Sequence, residues 1–261
     1  MSQFALGYAC DECGKTYGIR ETLNTCPSCG GLLEVQYDEG AMRRHTSCIA
    51  SNERITSIWR YRDFFPQMED KSIVSLGEGG TPLIQSVHIG PMLGLEKLFF
   101  KNDTMMPTGS FKDRGFSLAV SYAKEIGVHH GFTYSSGNAG ASFAAYASRG
   151  DFNALVCVEH TASDTKKALI GLYGARTAIL EFDNFINPIR HEAMKTYAYE
   201  IVESLGEAPD VMIHPVGTGG GLWGAWKGYR ELYSLRLCGR LPRMVGVQPA
   251  VTAHLEKAFL E

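Results

Sequence analysis

The chain is predicted to be an α/β protein with mostly parallel sheets, preceded by a small zinc-ribbon-like N-terminal module. Three observations predict this. Two Cys-x-x-Cys pairs, Cys10/Cys13 and Cys26/Cys29, stand within residues 1–40. Further on, short apolar runs alternate with helical patterns, and polar or glycine-rich turns follow three of the runs. The composition suits a folded core, with 261 residues of which 44% are hydrophobic and 20% charged. A formal net charge of −3, without a run of either sign, makes no electrostatic case for nucleic acid or an anionic membrane as partner. The opening "MSQFALGYACDECG" lacks the basic start and apolar run of a signal peptide, and no stretch reaches the roughly 18 apolar residues of a membrane span. Seven cysteines, an odd number with no secretory signal, argue for reduced thiols and a cytoplasmic protein.

The first module spans 1–40. Two residues between paired cysteines let one tight turn present both sulfurs to one ion, and two such turns complete a tetrahedron suited to zinc. Pro27 sets the second turn, Gly30 releases the chain after it, and "LLEVQYD" (32–38) alternates like a strand. Four protein ligands would close the site, so the expected role is structural. A redox pair is the competing reading.

The second region spans 41–261. "SIWRYRDFFP" reads as a short helix ending at Pro66, and "SLGEGGTPLI" (75–84) as a glycine-rich loop entering an extended segment. "KLFFKND" (97–103) is a strand. A helix follows over 110–127, capped by Ser110, with Phe111, Leu118, Tyr122 and Ile126 on one face. Strands are predicted at 131–136, 154–159, 176–182, 210–217 and 243–249. Helices are predicted at 138–150, 163–174, 191–206 and 220–235.

In such sheets ligands bind beyond the carboxyl ends of the strands, where three turns cluster here: "PTGSF" after Phe100, "SSGNAG" after Tyr134 and "GTGGG" after Val216. Gly217, Thr218, Gly219, Gly220 and Gly221 lead straight into a helix, whose N-terminal amides make a phosphate cradle; a plain tight turn is the bland alternative. The loop lacks the Gly-Lys-Ser/Thr end of a P-loop and the acidic residue of a dinucleotide fingerprint, so a phosphate without a nucleotide is the better reading. Asn138 offers an amide to a ligand, or caps its helix. Lys112, in "PTGSFKDRG", is either a solvated first-turn lysine or a partly desolvated amine able to form a Schiff base. Phosphate cradle, amide and amine together point to pyridoxal 5′-phosphate.

"PTGSFKDRG", "SSGNAGAS", "PVGTGGGLWG" and "LPRMVGVQ", with "SLGEGGTPLI", "INPIRHEAMKT" and the cysteine module in front, resemble the fold-type II pyridoxal-phosphate enzymes, most closely the threonine synthases. The resemblance implies Lys112 as the imine lysine and general base, Asn138 as partner of the cofactor's phenolic oxygen, and Gly217–Gly221 as its phosphate loop. It further implies that Ser135, Ser136 and Arg190 hold the phosphate of an amino-acid substrate, O-phospho-L-homoserine. Water and that substrate would give L-threonine and phosphate, in a homodimer. For Arg190 the bland reading is a solvated residue at a helix start.

The chain departs from that pattern in four places. "EFDNFINP" runs almost directly into Asn187-Pro188, too short for a βαβ crossover, so one α/β element near 183–187 is expected to be missing. Phe185 stands where a substrate-binding serine is expected. The family continues beyond the strand that precedes Glu261, so a C-terminal truncation is expected, and the residue facing the pyridine nitrogen is not assigned. Thr218 and Ala139 replace the family's frequent Asn and Thr. The alternatives are therefore a cysteate synthase, a serine/threonine dehydratase, or an inactive scaffold.

Overall fold

The computed structural model describes residues 4–45, 56–135, 137–158, 163–179, 187–250 and 258. Strands β1 (Ala5–Cys10), β2 (Thr16–Tyr17) and β3 (Leu33–Tyr37) make an antiparallel sheet in the order β2-β1-β3. β3 is the predicted strand, and Leu33 and Val35 point into the core while Gln36 is exposed. Helix α1 (Glu39–His45) follows. Ile58–Phe64 is a 3-10 segment rather than an α-helix, started by Ser57, whose hydroxyl accepts from the Trp59 N–H at 3.4 Å. Non-helical angles at Tyr61 (φ −103°, ψ 22°) kink it.

β4 (Leu83–Gln85) and β5 (Phe99–Lys101) pair antiparallel around the short α2 (Ile89–Met92). The chain then alternates through α3 (Lys112–Glu125), β6 (His130–Tyr134), α4 (Asn138–Arg149), β7 (Asn153–Val158), α5 (Asp164–Leu172) and β8 (Arg176–Ile179). The three strands form a parallel sheet in the order β6-β7-β8. After α6 (Pro188–Met194) and α7 (Thr196–Leu205), β9 (Val211–Pro215) pairs in parallel with β10 (Arg243–Val247) across α8 (Gly220–Ser234). Among the described residues no helix is long and apolar enough to cross a membrane.

Two further predictions change. The single helix expected over 191–206 is two helices meeting at Lys195, a fully buried residue. Its Nζ donates to the Phe64 carbonyl at 2.9 Å and pairs with Glu192 and Glu231 at 3.0 Å each. Helix α3 was expected to bury one face and buries two. Leu118 and Tyr122 join a core shared with the N-terminal sheet, the 3-10 segment and α6–α8, whereas Phe116 and Val120 join a second core with α4 and β7. Helix α3, whose first residue is Lys112, thus lies where two cores meet. The element expected to be missing near 183–187, and Phe185 with it, lies outside the described residues apart from Asn187.

Close helix packing depends on two glycines of α8. A Cβ at Gly224 would come within 2.3 Å of the Met194 Cβ, and one at Gly228 within 2.5 Å of the Lys195 carbonyl oxygen. The same region holds the N-terminal sheet in place. Tyr37 donates to Glu192 at 2.9 Å, while Lys227 pairs with Glu192 at 2.8 Å and donates to the Val35 carbonyl at 3.0 Å.

Candidate active site

The turn before Lys112 is pinned from below. Gly109 adopts φ +74°, and its N–H donates to the Met106 carbonyl at 2.8 Å. Asp113, fully buried, accepts from the Thr108 N–H at 2.7 Å, the Thr108 hydroxyl at 2.5 Å and the Ser142 hydroxyl at 2.6 Å. Ser110 accepts from the Lys112 N–H at 3.3 Å, so it supports the helix start from one residue outside the cap position.

Arg114 fixes the next side of the turn. It is fully buried and reaches Asp103 at 2.9 Å, Glu200 at 2.5 Å and the Thr196 hydroxyl at 2.7 Å. Lys101 adds a further pair with Glu200 at 2.6 Å. Thus "KDRG" places one amine at a cavity and uses its next two residues to hold that amine's helix. Gly115 completes the set, since a Cβ there would lie 3.0 Å from the Met194 Cε on α6.

The cavity measures about 1160 Å³ and is lined by Phe111, Lys112, Arg190, His191, the run Gly217–Gly221, Trp223 and Trp226 among others. Lys112 and the glycine loop, 105 or more residues apart in sequence, therefore face one space, and Arg190 joins them. Burial first, and then the positive charge of Arg190, push the Lys112 amine down to about 8. Its Nζ lies 4.3 Å from the centroid of the Phe111 ring. Burial alone pushes Arg190 down to about 10, and its guanidinium carbon stands 4.5 Å over the Phe116 ring. Two cations, Lys112 and Arg190, thus share the cavity with the glycine loop.

The glycine loop is shaped for close approach. Gly219, at φ +88°, turns the chain into α8, whose first main-chain bond runs from the Trp223 N–H to the Gly219 carbonyl at 2.9 Å. The amides of Gly220, Gly221 and Leu222 precede that bond, at the positive end of a helix of 15 residues. Gln248 donates to the Gly217 carbonyl at 3.4 Å, tying the loop to the end of β10. Behind the loop a Cβ at Gly221 would meet the His214 Cε1 at 2.8 Å, so this position cannot carry a larger side chain without rearrangement.

Other predicted site residues stand apart. Ser135 directly follows β6, and Asn138 is the exposed first residue of α4, following Gly137 at the cap; neither lines the cavity. Ser136 lies outside the described residues. Two contributors escaped sequence reasoning. His191 lines the cavity, and burial, followed by the charge of Arg190, pushes its imidazole down to about 4. The N-terminal module also lends Asp11, Leu32, Leu33 and Glu34 to the wall.

The four cysteines of that module converge. Their sulfurs lie within 4.8 Å of one another, with Cys10–Cys29 at 3.5 Å and Cys13–Cys26 at 3.6 Å. Ligands about 2.3 Å from one tetrahedral ion would be about 3.8 Å apart, so this cluster could hold a metal. Each knuckle closes on its own backbone, through Gly14 N–H to the Cys10 carbonyl at 3.0 Å and Gly30 N–H to the Cys26 carbonyl at 2.8 Å.

Comparison with known proteins bears on family and fold. The family profile described as "Pyridoxal-phosphate dependent enzyme" matches residues 74–183 and 177–261. The threonine synthase of Methanocaldococcus jannaschii is 37% identical over 272 residues, covering 96% of this chain and 67% of that protein. The threonine synthase of Methanosarcina acetivorans is 32% identical, covering 96% of this chain and 66% of that protein. That of Mycobacterium bovis is 38% identical over 217 residues, covering 75% and 60%. The chain therefore spans about two thirds or less of the length of these relatives. Among solved structures, a pyridoxal 5′-phosphate-dependent aspartate racemase aligns with a TM-score of 0.60 at 23% identity, over 69% of this chain and 60% of that one. O-ureido-L-serine synthase aligns with a TM-score of 0.57 at 23% identity, over 74% and 66%, and these two likenesses speak for the fold. By its profile match and its relatives above 30% identity, the chain belongs to the pyridoxal-phosphate dependent enzymes, and within them to the threonine synthase family.

Proposed function

We propose that the chain binds pyridoxal phosphate in the cavity below α8 and converts O-phospho-L-homoserine and water to L-threonine and phosphate. The observation that carries this reading is the meeting of Lys112, Arg190 and Gly217–Gly221 around one cavity. The residues fit the cofactor. An amine lowered to about 8 suits a covalent anchor, and a glycine turn ahead of α8, its first amides without helical partners, suits a phosphate.

When bound, the cofactor supplies an electron sink for the carbanion at the substrate's Cα. The protein supplies the rest. The amides of Gly219, Gly220 and Gly221, with Gly217 and Thr218 completing the loop, hold the cofactor phosphate. Lys112 Nζ anchors the cofactor, then takes the substrate's Cα proton as general base, a role its lowered affinity for protons makes possible near neutral pH. Arg190, beside Lys112, binds the substrate phosphate through charge-assisted hydrogen bonds. For Ser135, Ser136 and Asn138, a place at the substrate phosphate and at the cofactor ring rests on the family resemblance alone.

The test is turnover. With the cofactor added, O-phospho-L-homoserine should release phosphate and yield L-threonine in equal amounts. Phosphate released only from O-phospho-L-serine with sulfite would assign a cysteate synthase instead, and bound cofactor without turnover of either would assign a binding protein.

For the cysteine module we propose one structural zinc on Cys10, Cys13, Cys26 and Cys29. Purified protein should carry about one zinc per chain by plasma mass spectrometry. Cys10→Ser should lose it and lower thermal stability; a metal-free wild type that melts like a zinc-loaded one contradicts the assignment.

A further inference from the structure

His191 has no part in the reading above, yet it lines the cavity beside the glycine loop. It follows Arg190 on α6, and its Nε2 lies 3.1 Å from where a Cβ on Gly220 would stand. The imidazole therefore packs against the first residue of α8, on the turn whose amides are donors without helical partners. No group among the described residues hydrogen-bonds its ring, although it lines the cavity that holds Lys112 and the glycine loop. His214 backs the same turn but differs in both respects. It is buried, does not line the cavity, and is already paired through Nδ1 with the Pro215 carbonyl at 2.7 Å.

We propose that His191 is a phosphate-binding residue, whose Nε2–H donates a side-chain hydrogen bond to a phosphate monoester seated on the amides of Gly219–Gly221. The proposal rests on the cavity's assignment to a phosphorylated ligand. The donor is neutral at pH 7, because burial and the charge of Arg190 hold the imidazole down to about 4. A neutral donor adds a directed bond without adding a further positive charge beside Lys112 and Arg190. The ligand is a phosphate monoester, and its source, cofactor or substrate, is read from the experiment.

His191→Ala removes atoms and adds none, so it introduces no clash with Gly220, while His191→Gln keeps an N–H near the Nε2 position. Binding is read from quenching of Trp223 and Trp226, which line the cavity. Pyridoxal phosphate, pyridoxal and inorganic phosphate are titrated into each folded variant. His191→Ala should weaken pyridoxal phosphate and inorganic phosphate about tenfold or more and leave pyridoxal unchanged, and His191→Gln should recover most of the loss. Unchanged pyridoxal phosphate affinity with a raised half-saturation for O-phospho-L-homoserine would place the monoester on the substrate. An equal loss for pyridoxal and pyridoxal phosphate, or no loss for any phosphate, overturns the proposal. If phosphate binds in a His191-dependent way but Lys112 never becomes attached to cofactor, His191 stands and the assignment under "Proposed function" falls.

Discussion

Lys112→Ala is expected to leave the chain folded while lowering turnover of O-phospho-L-homoserine by about 10³-fold or more, since it removes the covalent anchor and the general base together. Folding should survive because the amine rests on the face of Phe111, a weak attraction when set against the desolvation it opposes. The amine's environment sets the size of the effect. With its pKa lowered to about 8, about one Lys112 in ten is neutral at pH 7, against about three in ten thousand for a lysine at 10.5. Attachment of cofactor should accordingly speed up as pH rises through about 8 and then level off. A linked effect on stability follows. Because the folded pKa lies below the unfolded one, the wild type carries a folding cost below pH 8 that fades as pH rises from about 8 toward 10.5. Urea unfolding of wild type and Lys112→Ala across that window should converge, and a gap that widens with pH contradicts the desolvated amine.

Arg114→Met should destabilise the protein by about 3–5 kcal/mol. The guanidinium neutralises two carboxylates that are almost removed from water, Asp103 and Glu200. Burial works to raise both their pKa values, and the charge of Arg114 outweighs it and holds both below the ordinary range. Methionine fills a similar volume but leaves Glu200 with Lys101 alone and Asp103 without a cation. Chemical denaturation monitored by circular dichroism reads the loss directly. A loss under about 1 kcal/mol would mean that the cluster is solvated in solution, as exposed pairs are.

Both predictions show how far "PTGSFKDRG" could be read unaided. Lys112 was legible because an amine after a Pro-Thr-Gly-Ser turn, together with a distant glycine loop, describes one cofactor. Asp113 and Arg114 were not, because their partners are Thr108 and Ser142 on one side and Asp103 and Glu200 on the other, pairings that only the folded chain brings together. Strands and helices from 131 to 174 were legible from alternation, since each is short and bounded by glycine or a polar turn. The break at Lys195 was not, because it accompanies a buried lysine whose acidic partners lie on two helices. His191 lies inside "INPIRHEAMKT", yet that stretch gave it no role. A lone histidine in "NPIRHEAM" gains meaning only once α6 is packed beside Gly220. The cysteine knuckles were plain from spacing, yet nothing in that spacing told that the strand after them walls the cavity of Lys112.

The most direct measurement is reductive trapping. The purified protein is mixed with pyridoxal phosphate, treated with borohydride, digested, and its peptides weighed by mass spectrometry. The account predicts one pyridoxyl-phosphate adduct per chain, on the peptide containing Lys112, and none on Lys112→Ala. An adduct on another lysine in place of Lys112, or protein that stays unlabelled at saturating cofactor, would contradict it.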